Sequence, residues 1–551
     1  MKMTGADILI NCLAEQGVET IFGYPGGTVL DIYDALYRYG KINHVLTSHE
    51  QGAAHAADGY ARVTGKVGVC FATSGPGATN LVTGIATAYM DSIPLVAITG
   101  NVALNNLGRD SFQEVDIAGI TMPITKHNII VKDVAELADA VRQAFCIADS
   151  GRKGPVLIDV LKNVQTAEYD YEPKPPLPLK HIETDPAKVR AAAEIINSCR
   201  KPLIIAGGGA AAGNSSENLK KLAEILDAPV TYTLMGKGVI SDGDRRNLGM
   251  LGMHGTVAAA KALIECDCLI ALGTRFSDRV ALNRNLFGGG KKIIQVDIDN
   301  AEFNKNVPVT LGVLADVDDC LKKLIPLVEK KDGNWLDSAI CAGQSVKLAD
   351  CRAYEILRSA AKHAPDGSPL ITDVGQHQMW AAQAYPLAQP RRFCSSGGLG
   401  TMGYGLGAAI GAAFGCGKLC VLVTGDGCFN MNLNELSTAV TEGVPVVILL
   451  MNNGVLGMVR QWQKIFYQKR FSQTTLKKKT DYIKFAESFG AKGILLSESD
   501  DIDAKLKEAF DYAIKNCSPV LVDCRISNDD NVLPMIKPGA TYDTQLKKME
   551  D

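Results

Sequence analysis

Along this chain the apolar positions gather into short continuous runs more often than into alternating ones. "LCVLVT" (419–424) and "VPVVILLM" (444–451) leave no polar face, which predicts strands buried on both sides, as in a parallel sheet covered by helices. The segment between them, containing "NLNELSTAVTEG" (432–443), is long enough for one crossover helix. The N-terminus, "MKMTGADILINCLAEQGVETIFG", reads as an amphipathic helix running directly into a strand. Strand and helix patterns alternate in this way through three regions, so the expected fold class is α/β with three doubly wound parallel-sheet domains.

Two breaks in composition divide the chain. "YDYEPKPPLPLKHIETDPAKV" (169–189) is proline-rich and polar, as a linker would be. A polar helical stretch near 337–352 leads into a new strand pattern. The expected division is a first domain 1–168, a linker 169–189, a central domain 190–335, a linker 336–360, a third domain 361–530 and a tail 531–551.

Composition narrows the function classes. A net charge of −3 over 551 residues offers no basic footprint for nucleic acid. The fifteen cysteines form neither CxxC pairs nor His-Cys clusters, which points to reduced thiols in a cytoplasmic protein and away from zinc. No apolar run is long enough to span a membrane and no signal peptide is visible.

The candidate chemistry lies where strands end. Asp426 stands between Gly425 and Gly427 directly after the first apolar run, and the second run ends in Asn452 and Asn453. Loops at the carboxyl edge of a parallel sheet leave a crevice for ligands. A carboxylate and an amide oxygen converging there suit Mg²⁺, whose remaining ligands would come from water and a phosphate. Asp-Gly is also an ordinary turn. Glu50, in "HEQGAAHAADGYAR" (49–62), opens an alanine-rich helix, where an acid is stabilised by the helix dipole with or without a further role. "GYPGG" (23–27) and "SGPG" (74–77) are glycine turns, and "PLIIAGGGAAAG" (202–213) is a strand followed by a glycine turn, by itself a weak dinucleotide signal.

Taken together, GYPGG, the strand-end glutamate, SGPGATNLVTGIATAYMDSIPLVAITG and GDG…NN resemble thiamine-diphosphate (ThDP) enzymes. Within that superfamily, "DSFQEVDIAGITMPITKHN", "GPVLIDVLKNVQ", "GLGTMGYGLGAAIGAA", "LGMVRQWQKIFY" and "VLPMIKPGATYD" closely resemble the acetolactate synthase (acetohydroxyacid synthase) family of large catalytic subunits. The match follows the family's order over almost the whole chain.

The resemblance implies a first domain that binds the aminopyrimidine, a central Rossmann-like domain that binds FAD, a third domain that binds the diphosphate, and a tail over the active site. Glu50 matches the glutamate that hydrogen-bonds the pyrimidine N1′ and promotes the imino tautomer, whose nitrogen takes the C2 proton. Gly27, Phe112, Gln113 and Lys162 match positions lining the reacting end, with Leu161 where the family carries proline. Met402 matches the residue that props the cofactor in its bent form. Gln376, His377, Gly425, Gly427, Cys428 and Met458 match further ThDP contacts, while Asp426, Asn453 and the Val455 carbonyl match the Mg²⁺ ligands. FAD would lie on Gly207, Gly208, Thr233, Leu234, Met253, His254, Arg275 and Asp297, in a structural or vestigial role. Arg279 is suited to a substrate carboxylate, Trp462 would narrow the pocket around an alkyl group, and Met458 and Val459 would lie nearer the thiazolium.

The implied activity decarboxylates pyruvate and condenses the hydroxyethyl group with pyruvate or 2-oxobutyrate, the entry to valine, leucine and isoleucine. The implied partners are these 2-oxo acids, further copies in a homodimer or tetramer with active sites between subunits, and a separate regulatory small subunit. The rival expectations are a catabolic, flavin-free acetolactate synthase and a non-catalytic homologue. Asn101, Ala103, Ser277, Gly407 and Pro538 depart from the family pattern. Ala103 and Pro538 fall where the family's inhibitors bind.

Overall fold

The computed structural model describes residues 1–344, 351–477 and 479–548. They form three six-stranded sheets in which every strand pair is parallel, together with one short antiparallel pair, Lys2–Thr4 with Glu168–Asp170. The runs 419–424 and 444–451 become neighbouring strands, Cys420–Gly425 and Val446–Asn452, in register from Cys420 opposite Val446 to Gly425 opposite Met451. Every residue of both strands is buried, which is why neither carries a polar face.

In each sheet the chain starts at an inner strand, builds toward one edge and then crosses to the other side of its first strand, and ligands of open α/β sheets bind at such a switch point. In the first sheet the reversal separates Thr20–Gly23 from Gly68–Ala72, so the GYPGG and SGPG turns open side by side. In the central sheet it separates Pro202–Ala206 from Cys268–Leu272, bringing the turns at Gly207 and Gly273 together. In the third it separates Leu370–Thr372 from Cys420–Gly425, which sets the segment 373–377 beside the GDG turn.

The first and third domains are joined by two helices, Glu50–Thr64 and Gly405–Cys416, whose small residues let the backbones touch. A Cβ added to Gly59 would collide with the Ala408 carbonyl, and one added to Gly411 with that of Ala56. The alanine and glycine content of both segments therefore reflects a helix pair buried on nearly all sides. The tail crosses to the central domain, where Met535, Ile536 and Tyr542 join its core. Helices Trp335–Gln344 and Arg352–His363 occupy most of the stretch 336–360 expected to link the second and third domains, of which residues 345–350 lie outside the described residues, as do 549–551 of the tail.

Candidate active site

At the third switch point Asp426 begins the helix Asp426–Asn432 and is buried. Its Oδ1 accepts the Gly427 N–H at 3.1 Å and its Oδ2 accepts the Gly454 N–H at 3.0 Å, tying the two strand ends together. Burial pushes this carboxyl up to about 6, against the pull of those N–H groups. Among the described residues it has no basic partner; Asn453, next to Gly454, accepts the Val455 N–H through its Oδ1 at 3.2 Å, and a carboxylate without a positive partner beside such a turn suits a hard cation. Asn453 Nδ2 donates to Gln376 Oε1 at 3.4 Å, and Gln376 in turn donates to Gln461 Oε1 and to the Asp530 carbonyl. His377 packs so closely on Gly425 that a Cβ there would stand 2.9 Å from its Nδ1. Burial drives the His377 imidazole down to about 3, so it is neutral, and its buried Nε2 has no hydrogen-bond partner. An orphaned ring nitrogen beside a glycine-lined turn fits a diphosphate oxygen. Cys428 donates to the Val374 carbonyl at 3.1 Å.

Met402 lies in the loop between Phe393–Ser395 and Gly405–Cys416, half-buried, with its Cε 3.5 Å from the position of a Cβ on Gly427. The base of that loop is pinned by Asp373, whose carboxylate accepts the N–H groups of Gly403 and Gly405 and the Thr424 hydroxyl.

The first switch point gathers a second set. Glu50 starts its helix under a His49 cap and accepts one hydrogen bond, from Asn80 Nδ2 at 2.9 Å. Lys162 opens the helix Lys162–Thr166, pairs with Asp31 at 2.6 Å and directs its Nζ to the Gly27 carbonyl at 3.5 Å. Gln113 holds a left-handed φ of 58° with its backbone against Gly75, whereas Phe112 is 88% exposed. Among the described residues no hydrogen bond or ion pair connects Glu50, Gly27, Phe112, Gln113 or Lys162 with Met402, Asp426 or Asn453. The two sets stand at different sheet edges, one in the first domain and one in the third.

The central domain places Gly207, Gly208, Thr233, Leu234 and Asp297 along one sheet edge. Gly207 is required by packing, because a Cβ would strike the Gly273 carbonyl. Asp297 ends its strand as a buried carboxyl raised to about 6 by desolvation, with the Asp299 N–H as its bond. A buried acid at that edge suits a ligand hydroxyl. Asn306 anchors the Arg275 carbonyl. Met253 exchanges backbone bonds with Arg279 and Ile536, and His254, held neutral by burial, lies against the Pro534 carbonyl.

Arg279 and Trp462 meet across the domain boundary, the guanidinium carbon 5.6 Å from the indole centroid. Trp462, Met458 and Val459 line an open cleft of about 720 Å³, and the Trp462 indole N–H is buried without a partner.

The geometry accords with three sequence-family descriptions. Residues 3–120 match the thiamine pyrophosphate enzyme N-terminal TPP binding domain, 189–324 the central domain, and 373–524 the C-terminal TPP binding domain. The chain is 45% identical to a probable acetolactate synthase large subunit of Methanocaldococcus jannaschii, over 98% of this chain and 94% of that one. It is 40% identical to the acetolactate synthase large subunit of Haemophilus influenzae, covering 100% and 99% of the two chains. The chain belongs to the acetolactate synthase large-subunit family of thiamine pyrophosphate enzymes. An acetolactate synthase of Mycobacterium bovis is 44% identical over 98% of this chain and 91% of its own.

Some members of this family site carried no motif. Glu435 is fully buried in the third domain, where its Oε2 accepts the Ser48 N–H at 3.1 Å and the Thr438 hydroxyl at 2.7 Å, just ahead of Glu50. Asn80, Asp373 and Gln461 are also polar residues turned into the site region. For Asn80 and Asp373 the signal was a polar side chain inside an otherwise small or apolar segment; Glu435 and Gln461 sit among polar neighbours and carried none.

Proposed function

We propose that this chain is a biosynthetic acetolactate synthase large subunit. It decarboxylates pyruvate and joins the resulting two-carbon unit to pyruvate or 2-oxobutyrate, giving 2-acetolactate or 2-aceto-2-hydroxybutyrate, the first common step toward valine, leucine and isoleucine. The observation that carries this reading is the Arg279–Trp462 pair over the Met458–Val459 cleft. A guanidinium there receives the acceptor's carboxylate, and the indole face measures its alkyl group.

ThDP, when bound, supplies the carbon nucleophile and electron sink for removing CO₂ from a 2-oxo acid. Glu50 holds the proton at the pyrimidine N1′, oriented by Asn80. Asp426, Asn453 Oδ1 and the Val455 carbonyl would hold Mg²⁺, while Gln376, His377, Gly425, Gly427 and Cys428 would line the diphosphate. Met402 would support the cofactor, and Lys162, Gly27, Gln113 and Phe112 would frame the reacting end. Gly207, Gly208, Thr233, Leu234, Met253, His254, Arg275 and Asp297 would take FAD. The two half-sites of one chain belong to two active sites, each completed by another copy in a dimer or tetramer, and the exposed Phe112 is covered there. A separate regulatory subunit and a cytoplasmic location complete the reading, with domain limits at 1–168, 190–335 and 361–530.

The test is acetolactate formation from pyruvate with ThDP and Mg²⁺, with and without FAD. Activity that requires FAD and accepts 2-oxobutyrate supports the proposal. Flavin-independent activity restricted to pyruvate would instead indicate the catabolic reaction, and no acetolactate with either acceptor would refute the assignment.

A further inference from the structure

The helix Glu50–Thr64 carries, two turns beyond Glu50, a buried pair with no part in the chemistry above. Arg62 Nε donates to Asp58 Oδ1 at 2.6 Å, and Arg62 Nη2 donates to Asp91 Oδ2 at 2.9 Å; all three side chains are at most 5% exposed. Asp91 is the last residue of the helix Val82–Asp91. An acid at a helix C-terminus is opposed by the dipole, so its placement there is not explained by helix stability.

Both carboxylates reach onward into the third domain. Asp91 Oδ2 accepts the Gly397 N–H at 3.0 Å and Oδ1 accepts the Gly398 N–H at 2.7 Å. Asp58 Oδ1 accepts the Tyr404 hydroxyl at 2.7 Å, and the Arg62 guanidinium lies 5.5 Å from the Tyr404 ring centroid. Midway between them, the Thr87 and Thr401 hydroxyls are 2.8 Å apart. The loop 397–404 is thus held at both ends and in the middle by the first domain, and Met402 is inside it. Gly397 and Gly398 allow the close approach, since a Cβ on Gly398 would stand 2.9 Å from Asp91 Oδ1.

We infer that Asp91 and Arg62 are positioning residues for Met402: an Asp58–Arg62–Asp91 clamp from the first domain sets the height of the loop that supports the cofactor. One guanidinium bridges the two carboxylates, so displacing Asp91 frees the 397–398 end and loosens the bridge to Asp58, while Asp373 still holds Gly403 and Gly405. The inference rests on the acetolactate synthase reading for Met402's role, and it adds a consequence. In that reading Glu50 and Met402 of one chain serve different active sites, so a single rigid helix ties the acid of one site to the support of its neighbour.

The test uses the full-length protein, with Asp91→Asn to remove the charge and Thr87→Val to remove the central tether without stranding a buried charge. Hydrogen–deuterium exchange of peptides covering 396–405, measured without cofactor, should speed up in both variants while the core strand Val446–Asn452 stays protected. For acetolactate formation, kcat should fall about tenfold for Asp91→Asn, and less for Thr87→Val, at unchanged KM for pyruvate. In a Met402→Ala background the same changes should cost less than about twofold, because the residue they position is gone. Unchanged exchange at 396–405 would overturn the clamp whatever the activity. Faster exchange with kcat losses that simply add to that of Met402→Ala would overturn its action through Met402. If Asp91→Asn does not fold, Thr87→Val decides by the same criteria. If the wild-type protein makes no acetolactate, the functional reading fails, and the exchange data still decide whether the clamp holds the loop.

Discussion

Asp426 and Glu50 are both buried acids at helix starts beside sheet switch points, yet their surroundings differ sharply. Asp426 is held within its own domain by two backbone N–H groups, and in the same domain Asn453 donates to Gln376, which donates in turn to Gln461 and to the Asp530 carbonyl. Among the described residues Glu50 accepts a single bond, from Asn80, and in the same domain a Cβ on Gly27 would meet open space and Phe112 is exposed. A diphosphate and its cation need many fixed donors, which one sheet edge can supply by itself. An acid that must hand a proton to a ring needs one free oxygen and a dry wall, and a second copy of the chain can supply that wall. In the proposed reading Asp426 belongs to a binding half and Glu50 to a chemical half, and changing each in turn tests that division.

The largest effect is expected at the chemical half. Glu50→Gln should lower kcat by roughly 10²–10⁴, with ThDP affinity, followed by calorimetry, changing only a few-fold. A comparable loss of affinity would mean that Glu50 belongs to the binding half. At the other half, Asp426→Asn should weaken Mg²⁺-dependent ThDP binding by about 100-fold. In that variant kcat should largely recover at saturating metal and cofactor, and a kcat loss that saturation cannot restore would contradict the division.

Substrate choice should respond less. Trp462→Leu is expected to shift the ratio of 2-oxobutyrate to pyruvate products by about 10- to 100-fold, read from competition assays, while total turnover on pyruvate changes little. The smallest effect is a pH dependence confined to the binding half. Because burial raises the Asp426 carboxyl to about 6, protons compete with Mg²⁺ below that pH. The apparent Mg²⁺ affinity should be flat above neutrality and fall by about tenfold per unit below pH 6. Asp426→Asn should abolish this slope.

Much of this layout was legible in the residues. The two unbroken apolar runs announced adjacent buried strands, and the GDG turn with the following asparagines named the edge where they meet. The strand ends in all three regions carried glycine turns that now stand at switch points. The Asp58–Arg62 pair was harder to see, because an acid and a base four apart on a helix ordinarily mark a solvated face. The contrary signal was the alanine and glycine content of "HEQGAAHAADGYAR", which fits a helix buried by another helix. Asp91 and Glu435 were illegible for a related reason: their partners lie in another domain, hundreds of positions away, and no local spacing encodes them. The contact between Arg279 and Trp462 is likewise a product of tertiary packing, although each residue stood out alone.

In the proposed reading a working site takes its acid from one chain and its metal half from another. This is tested most directly by mixing two inactive proteins, Glu50→Gln and Asp426→Ala, under conditions that exchange subunits. A mixed dimer built this way carries one site with both defects and one with none, so a one-to-one mixture should regain about a quarter of wild-type acetolactate formation. No recovery, with subunit exchange verified by mass, would mean that each site is completed within a single chain and would contradict the account.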